Sequence, residues 1–466
     1  MDKNLLHIVF ILFLSTQLLV AQQIIEVMPG AGTLENAINN SNAGDVLQLT
    51  GGAEYLLSLG KATTFGIIDK TITIQTNQEH AQKAIIRLSP DASPTKKFYF
   101  FTIKDGAALT LKGLEIHGIA KDTAVASSMI IFDSRPNPAA ARIGNFHFED
   151  CIFRDFKDYI VHGMKDDYAR GMIQDTVFVN NLTVYRAKHF LQYKHVSLKH
   201  IEMTNSTIYS LQGMALKIGK IGYRCVLLNP TTPYIPLTDS TITPTGFIDR
   251  CTMDDLGDIH GHVQVDNAFH TLTVSNSILS NQQQWSQPAI YFLEPMTEKV
   301  IAVENTNFWQ CGPPNELVGG NQWIGYEFKD SMNINPGYRD AAAGDFTLAE
   351  NSPLLTAGTD GGPIGDPRWV QNLSGNSNLQ VPDKIMNIYP NPFRNKTNIA
   401  YTVNENAFVS IVIYNLWGEM ITSLKSEYMS PGNYVSTWVA GTLLPGIYIC
   451  SIAIGNKNEN IKIVHQ

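Results

Sequence analysis

Between residues 100 and 310 the chain repeats one short pattern: apolar, any, apolar, any, small or polar, any, any, apolar. It reads Leu109, Leu111, Gly113, Ile116, then Phe146, Phe148, Asp150, Phe153, then Val177, Val179, Asn181, Val184. Four more copies follow: Ile201, Met203, Asn205, Ile208; Gly246, Ile248, Arg250, Met253; Leu272, Val274, Asn276, Leu279; and Ile301, Val303, Asn305, Phe308. Alternation places the apolar members of each copy on one face of a strand. The fifth position reads as a corner, because Gly, Asn and Asp tolerate left-handed backbone angles and Asn bonds locally. Each unit is thus two short strands hinged at a single residue, with no long amphipathic helix between copies.

The corners fall at 113, 150, 181, 205, 250, 276 and 305, with gaps of 37, 31, 24, 45, 26 and 29 residues. A period of about 20–50 residues marks a solenoid or array. A propeller needs four strands per blade and more even spacing, and a leucine-rich repeat needs its leucine ladder. The expectation is an all-β, right-handed parallel β-helix whose longer gaps are inserted loops. Stacked corners predict an asparagine ladder from coil to coil. Cys151 and Cys251 directly follow corners, which predicts burial as small apolar side chains. The cysteines number five, with no paired metal-type spacing, so a complete disulfide framework is excluded.

The ends add detail. Residues 1–21 combine Lys3, an apolar run and Ala21 at its end, which reads as a signal peptide. No other long apolar run occurs, so no transmembrane span is expected in the mature chain. Residues 32–40 read as a short amphipathic helix closing the first coil, since an open solenoid end exposes apolar side chains and strand edges. Residues 332–369 are expected to close the far end. A polar Asn/Ser-rich linker spans 370–387. From 388 onward, alternating runs separated by Gly and Pro predict a small β-sandwich.

The tail carries Tyr389, Pro390, Asn391 and Pro392, then Leu416, Trp417, Gly418 and Glu419, then Pro445, Gly446, Ile447 and Tyr448, and a basic-apolar end around Lys462. In that order these blocks resemble the C-terminal sorting domain of the type IX secretion system of the Bacteroidota, over 388–466. The resemblance implies handling by that machinery, export to the outer-membrane surface or the extracellular space, and removal of the tail. The residues 32–55 resemble the opening of the pectin-lyase-like β-helix superfamily. Residues 352–365 are similar to an ending found in secreted Bacteroidota β-helix proteins distantly related to polysaccharide lyase family six. Gly213 to Gly219 is similar to a stretch of that family ending Arg-Ile-Gly, with Lys217 in place of the arginine and Leu211, Gln212, Gly213 where an Asn-Gly-Glu element is expected.

Charge narrows the chemistry. The net charge of −8 excludes general nucleic-acid binding. Against it, the window 186–200 holds Arg186, Lys188, His189, Lys194, His195, Lys199 and His200 and no carboxylate. Such a window suits an anionic, uronate-containing polysaccharide, whose carboxylates need cations. For lyase-type β-elimination, Lys194 would be the base, Arg186 the carboxylate neutraliser and Tyr193 the acid. Lys188, His189, Lys199 and Lys217 would bind substrate. The alternatives are a non-catalytic glycan-binding protein, a structural adhesin, or a solvated basic surface. No metal site is predicted. Glu149, Asp150, Asp155, Asp158, Asp166 and Asp167 lack calcium-loop spacing, and a calcium requirement stays open. Asp254, Asp255, Asp258, His260 and His262 form a polar loop with a metal or hydrolytic site as the sharper reading. Trp285, Trp309 and Trp323 are candidates for a sugar groove or for packing.

Overall fold

The computed structural model describes residues 22–370 and 386–465. Excepted are 58–63, 78–81, 93–96, 121–123, 136–140, 164–171, 194–195, 219–244, 258–261, 266–270, 284–288, 293–299, 313–325, 390, 392, 404–405, 416–419, 442, 445 and 455–456. The expected signal peptide and most of the expected linker lie outside the described residues. The chain divides into two compact units, Met1–Leu373 and Ser374–Gln466.

The first unit is a right-handed parallel β-helix. A full coil gives one strand to each of three sheets. Sheet A runs from Ile24–Val27 to Tyr326–Lys329, sheet B from Gly30–Ala31 to Asn307–Trp309, and sheet C from Thr64–Ile68 to Ile290–Phe292. One coil shows the plan. Phe146–Glu149 lies in sheet A, Ile152–Arg154 in sheet B and Tyr159–Gly163 in sheet C. Strands one coil apart pair in parallel, as Phe146 with Val177 and Ile152 with Thr183.

All seven predicted corners are left-handed, with φ of 63° at Gly113, 52° at Asp150, 55° at Asn181, 50° at Asn205, 51° at Arg250, 46° at Asn276 and 45° at Asn305. A single such residue turns the chain from sheet A to sheet B and leaves both strands paired. A second left-handed corner follows sheet B at Asp155, Arg186, Ser210, Asp255, Asn281 and Gln310; the apolar pattern gave no sign of it. The asparagine ladder is modified. Asn181 Nδ2 reaches the corner below, at Asp150 Oδ1 (2.8 Å), but Asn205 and Asn276 reach one residue further back, to Asn180 Oδ1 (2.9 Å) and Asp249 Oδ1 (2.7 Å).

Inward side chains fill the coil with Phe132, Phe146, Phe148, Phe153, Phe190 and Tyr193, all fully buried. Cys151 and Cys251 are buried free thiols, and burial pushes the Cys151 thiol up to about 12. They serve as small apolar groups. The helix α1 (Thr33–Asn40) buries Leu34 and Ile38 against the first coil, as expected.

The segment 332–369 begins at the last coil, where Ile334 N donates to Asn307 Oδ1 (2.8 Å). Met332 adds a parallel bridge to Asn307 at the edge of sheet B, and from there the segment runs back along sheet B as a strap. Tyr338 OH meets Ser280 Oγ (3.0 Å), Phe346 packs edge-on against Tyr209, and Trp369 Nε1 donates to Thr207 Oγ1 (2.7 Å). Arg368 reaches Thr183 Oγ1 (3.0 Å) and the Leu182 carbonyl (3.0 Å). The outer face of sheet B attracts it because its strands there present Thr183, Thr207, Thr252 and Ser280, which bond polar strap groups.

The second unit is a small antiparallel sandwich. Strands Met386–Tyr389, Lys396–Val403 and Gly432–Val439 form one sheet; Ala407–Asn415, Met420–Met429, Gly446–Ile454 and Lys457–His465 form the other. Ile399, Val409, Ile411, Trp438 and Cys450 pack between them.

Candidate functional site

The basic window 186–200 occupies about one coil, so its residues are spread around the molecule instead of lining one groove. Arg186 sits at the corner after sheet B, His189–Tyr193 is a strand of sheet C, and Val196–Thr204 is a strand of sheet A. Lys194 and His195 lie outside the described residues.

Four of the expected site residues have described partners. Tyr193 points inward; it is fully buried and its hydroxyl donates to Gln174 Oε1 (2.6 Å). Burial raises its phenol well above the ordinary value, so it is placed as a core residue and not as an acid for a surface polymer. Arg186 is exposed but engaged: Nε and Nη2 both meet Asp155, the latter at 2.9 Å, and the guanidinium lies 4.6 Å from the centre of the Tyr185 ring. Its charge is balanced locally, with the Asp155 carboxyl held below its usual value by Arg186 and Arg154 against the opposing effect of burial. Lys199 pairs with Asp175 on sheet A, remote in sequence register from sheet C. His189 is buried, stacks on Tyr159 at 5.4 Å and accepts from Met214 N through Nδ1 (2.9 Å). It is held in the wall of the coil. Lys188 is exposed.

Sheet C brings together residues far apart in sequence. Parallel pairing aligns Ile131, His162, Gln192, Lys217, Gln264 and Tyr291 in one row. Gln192 follows Leu191 and precedes Tyr193, both in the core, so alternation turns it to the outer side. It is nonetheless 2% exposed, and its Oε1 has no hydrogen-bond partner among the described residues. A buried amide oxygen without a donor is costly. His162 stands next in the row, 4.2 Å from the Tyr159 ring centre. Lys217 was named from its sequence; Gln192 and His162 were missed. The signal for them is position within successive coils, not proximity in the chain.

The carboxylates set aside as calcium ligands for want of loop spacing have other partners where they are described. Glu149 meets Lys112 (2.7 Å), Asp150 meets Lys83 (2.5 Å), and Asp155 meets Arg154 (2.5 Å). Asp158 accepts from Ser127; Asp166 and Asp167 lie outside the described residues. No cluster of three or more His, Cys, Asp or Glu suited to a metal occurs among the described residues. The described members of the second polar group, Asp254, Asp255 and His262, have separate placements. Asp254 is buried under the strap and accepts from Ser280 Oγ (2.6 Å) and Asn281 Nδ2 (2.8 Å). Asp255 is a corner, and His262 lies in the core with Nε2 on the Ser280 carbonyl (3.0 Å). Asp258, His260, Trp285 and Trp323 lie outside the described residues. Trp309 ends the last strand of sheet B.

Residues 246–369 match a family described as a domain of unknown function (DUF5123). That span is the last coils plus the whole strap. Residues 387–466 match the secretion system C-terminal sorting domain. The tail is therefore a type IX sorting domain, which directs export to the outer-membrane surface or the extracellular space. No helix among the described residues is long and apolar enough to cross a membrane. No curated protein matches the chain. Among solved structures, the PL6 family alginate lyase AlyGC is similar at TM-score 0.40 and 15% identity, over 68% of this chain and 39% of that one. An alginate lyase from Paenibacillus sp. str. FPU-7 is similar at TM-score 0.32 and 10% identity, over 67% of this chain and 99% of that one. The tailspike gp49 of Acinetobacter baumannii bacteriophage Fri1, a capsular polysaccharide depolymerase, gives TM-score 0.27 and 8% identity, over 95% and 78%. None of these likenesses reaches the level at which a shared activity follows.

Proposed function

We propose that this exported β-helix protein binds an anionic, uronate-containing polysaccharide along the outer face of sheet C. The observation that carries the reading is the register of Gln192 with Lys217, one strand apart, with His162 on the next rung. A lysine supplies a point charge for a sugar carboxylate without needing a fork geometry. Lys188, exposed where the chain enters sheet C, adds positive potential. Sheet B is a poorer track, because the strap occupies its outer face from Thr183 to Asn307.

Binding without bond cleavage is the reading favoured. β-Elimination needs a neutralised carboxylate, a base and an acid at one sugar. Of the three residues assigned to those roles, Tyr193 is interior and Arg186 is spent on Asp155. Lys194 alone would remain as a base.

The test is affinity electrophoresis of the full chain in alginate, pectate, chondroitin sulfate and heparin, with ultraviolet absorbance followed for an unsaturated product, with and without calcium. The expected result is retardation by a uronate polymer that weakens with salt and is lost in Lys217→Ala, with flat absorbance. Rising absorbance abolished by Lys194→Ala would establish the lyase instead. Unretarded migration in all four polymers would leave the chain as an adhesin or structural protein.

A further inference from the structure

We propose a second glycan site, on the outer face of sheet A, shaped for an extended, uncharged polysaccharide. Parallel pairing sets His147, Phe178, Glu202 and Phe247 in one outward row, each one strand further along the helix axis. Their strand neighbours Phe146, Phe148, Val177, Val179, Ile201 and Met203 fill the core, so alternation turns this row to solvent. Phe178 and Phe247 are partly exposed. The two phenylalanines offer partly exposed ring faces at a fixed spacing, with Glu202 on the strand between them.

Phe178 and Phe247 are two strands apart, which is about 9.5 Å along the axis. That is the reach of two sugar rings in an extended chain with alternating ring faces. A polymer lying along the axis would thus place an equivalent apolar ring face over each phenylalanine. The rings next to Phe178 do not cover its face in parallel: His147 is tilted by 59° at 5.9 Å and His200 by 66° at 6.5 Å.

Polar rails run along both sides of this apolar line, matching the polar rim and apolar faces of a pyranose. On one side His200 Nδ1 bonds Thr245 Oγ1 (2.6 Å); on the other Thr204 Oγ1 donates to Asn180 Oδ1 (3.0 Å). Charge decides against a polyanion here. Lys112 is paired with Glu149 (2.7 Å) and Lys199 with Asp175. His200 lies 3.9 Å from Glu202, on the row itself. Each of these three cations has a carboxylate beside it, and Glu202 stands on the row between the two phenylalanines, where it would repel a uronate chain. The site is therefore independent of the sheet C reading and selects the opposite ligand class.

Calorimetry of the full chain tests this with cellohexaose, xylohexaose and mannohexaose as neutral β-linked probes and an alginate hexasaccharide as the charged one. One neutral probe is expected to bind with little salt dependence. Phe178→Ala and Phe247→Ala should each weaken it about fivefold or more, and the double variant should abolish it. Lys217→Ala should leave neutral binding intact, while the phenylalanine variants leave alginate binding intact. Failure of all neutral probes, or unchanged binding in the double variant with an unaltered melting temperature, overturns the proposal. Loss of the alginate signal alone would count only against sheet C.

Discussion

Asp254 and His262 each bond Ser280, one through its hydroxyl and the other through its carbonyl, and are perturbed in opposite directions. Burial raises the Asp254 carboxyl from 3.8 to about 6, against the opposing bonds from Ser280 and Asn281. Burial lowers the His262 imidazole from 6.5 to about 4. The native state binds the Asp254 proton more tightly than the unfolded chain does. Its contribution is fully present below 3.8 and declines as pH rises through about 6. His262 is held neutral, so its contribution is present above 6.5 and is lost as pH falls through about 4. Between about pH 4 and 6 the two slopes cancel, and these two groups leave the wild-type curve flat. Asp254→Asn keeps an acceptor for Ser280 and removes one slope. Urea denaturation of that variant should show stability falling on acidification across this window, and a gain at about pH 7 on the order of 2–3 kcal/mol. An unchanged pH profile would show that Asp254 is ionised freely in the fold.

The strap is the element whose role was least legible in advance. Its Ser-Pro and Gly-Gly-Pro turns mark a loop, but nothing in them says that it folds back over sheet B. The latch is local: Asp366, whose side chain has no exposure, accepts from Thr207 Oγ1 (2.6 Å) and pairs with Arg368 (2.5 Å). Arg368→Ala would strand a buried carboxylate and should cost about 3 kcal/mol, read as a lower melting temperature. Arg368→Met with Asp366→Asn should cost less, because no uncompensated charge remains. Gly365 is a second check. It has φ of 80°, and a Cβ there would lie 2.8 Å from Ile278 Cδ1 and 2.9 Å from Thr252 Oγ1. Gly365→Ala should loosen the strap by about 1–2 kcal/mol from backbone strain alone, with earlier proteolytic cleavage in 332–369. The corners were readable by contrast, because a single left-handed residue has a strong residue preference. The corners after sheet B were not, since three of the six are Arg, Ser or Gln and no repeated apolar pattern marks their place.

The two units have separate cores: the first has one within the coils and a small one under the strap, and the second has one between the two sheets of the sorting domain. Each can unfold with its own cooperativity. Calorimetric scanning of the full chain should show two transitions, and deletion of 374–466 should remove one without shifting the other. A single transition that moves on deletion would mean that the units stabilise each other. What residue order alone established is local or periodic: the corners, the inward and outward alternation, the capping helix and the sorting tail. Each depends on neighbours within a few positions or on motifs contiguous in the chain. What only the folded coils decided is which side chains share a surface. In a solenoid, lateral neighbours are a whole coil apart, and the gaps between corners range from 24 to 45 residues. Loop insertions change that separation while parallel backbone pairing preserves the register. A basic run contiguous in sequence is therefore wound around the coil, while parallel register puts Gln192 and Lys217 on adjacent strands of sheet C.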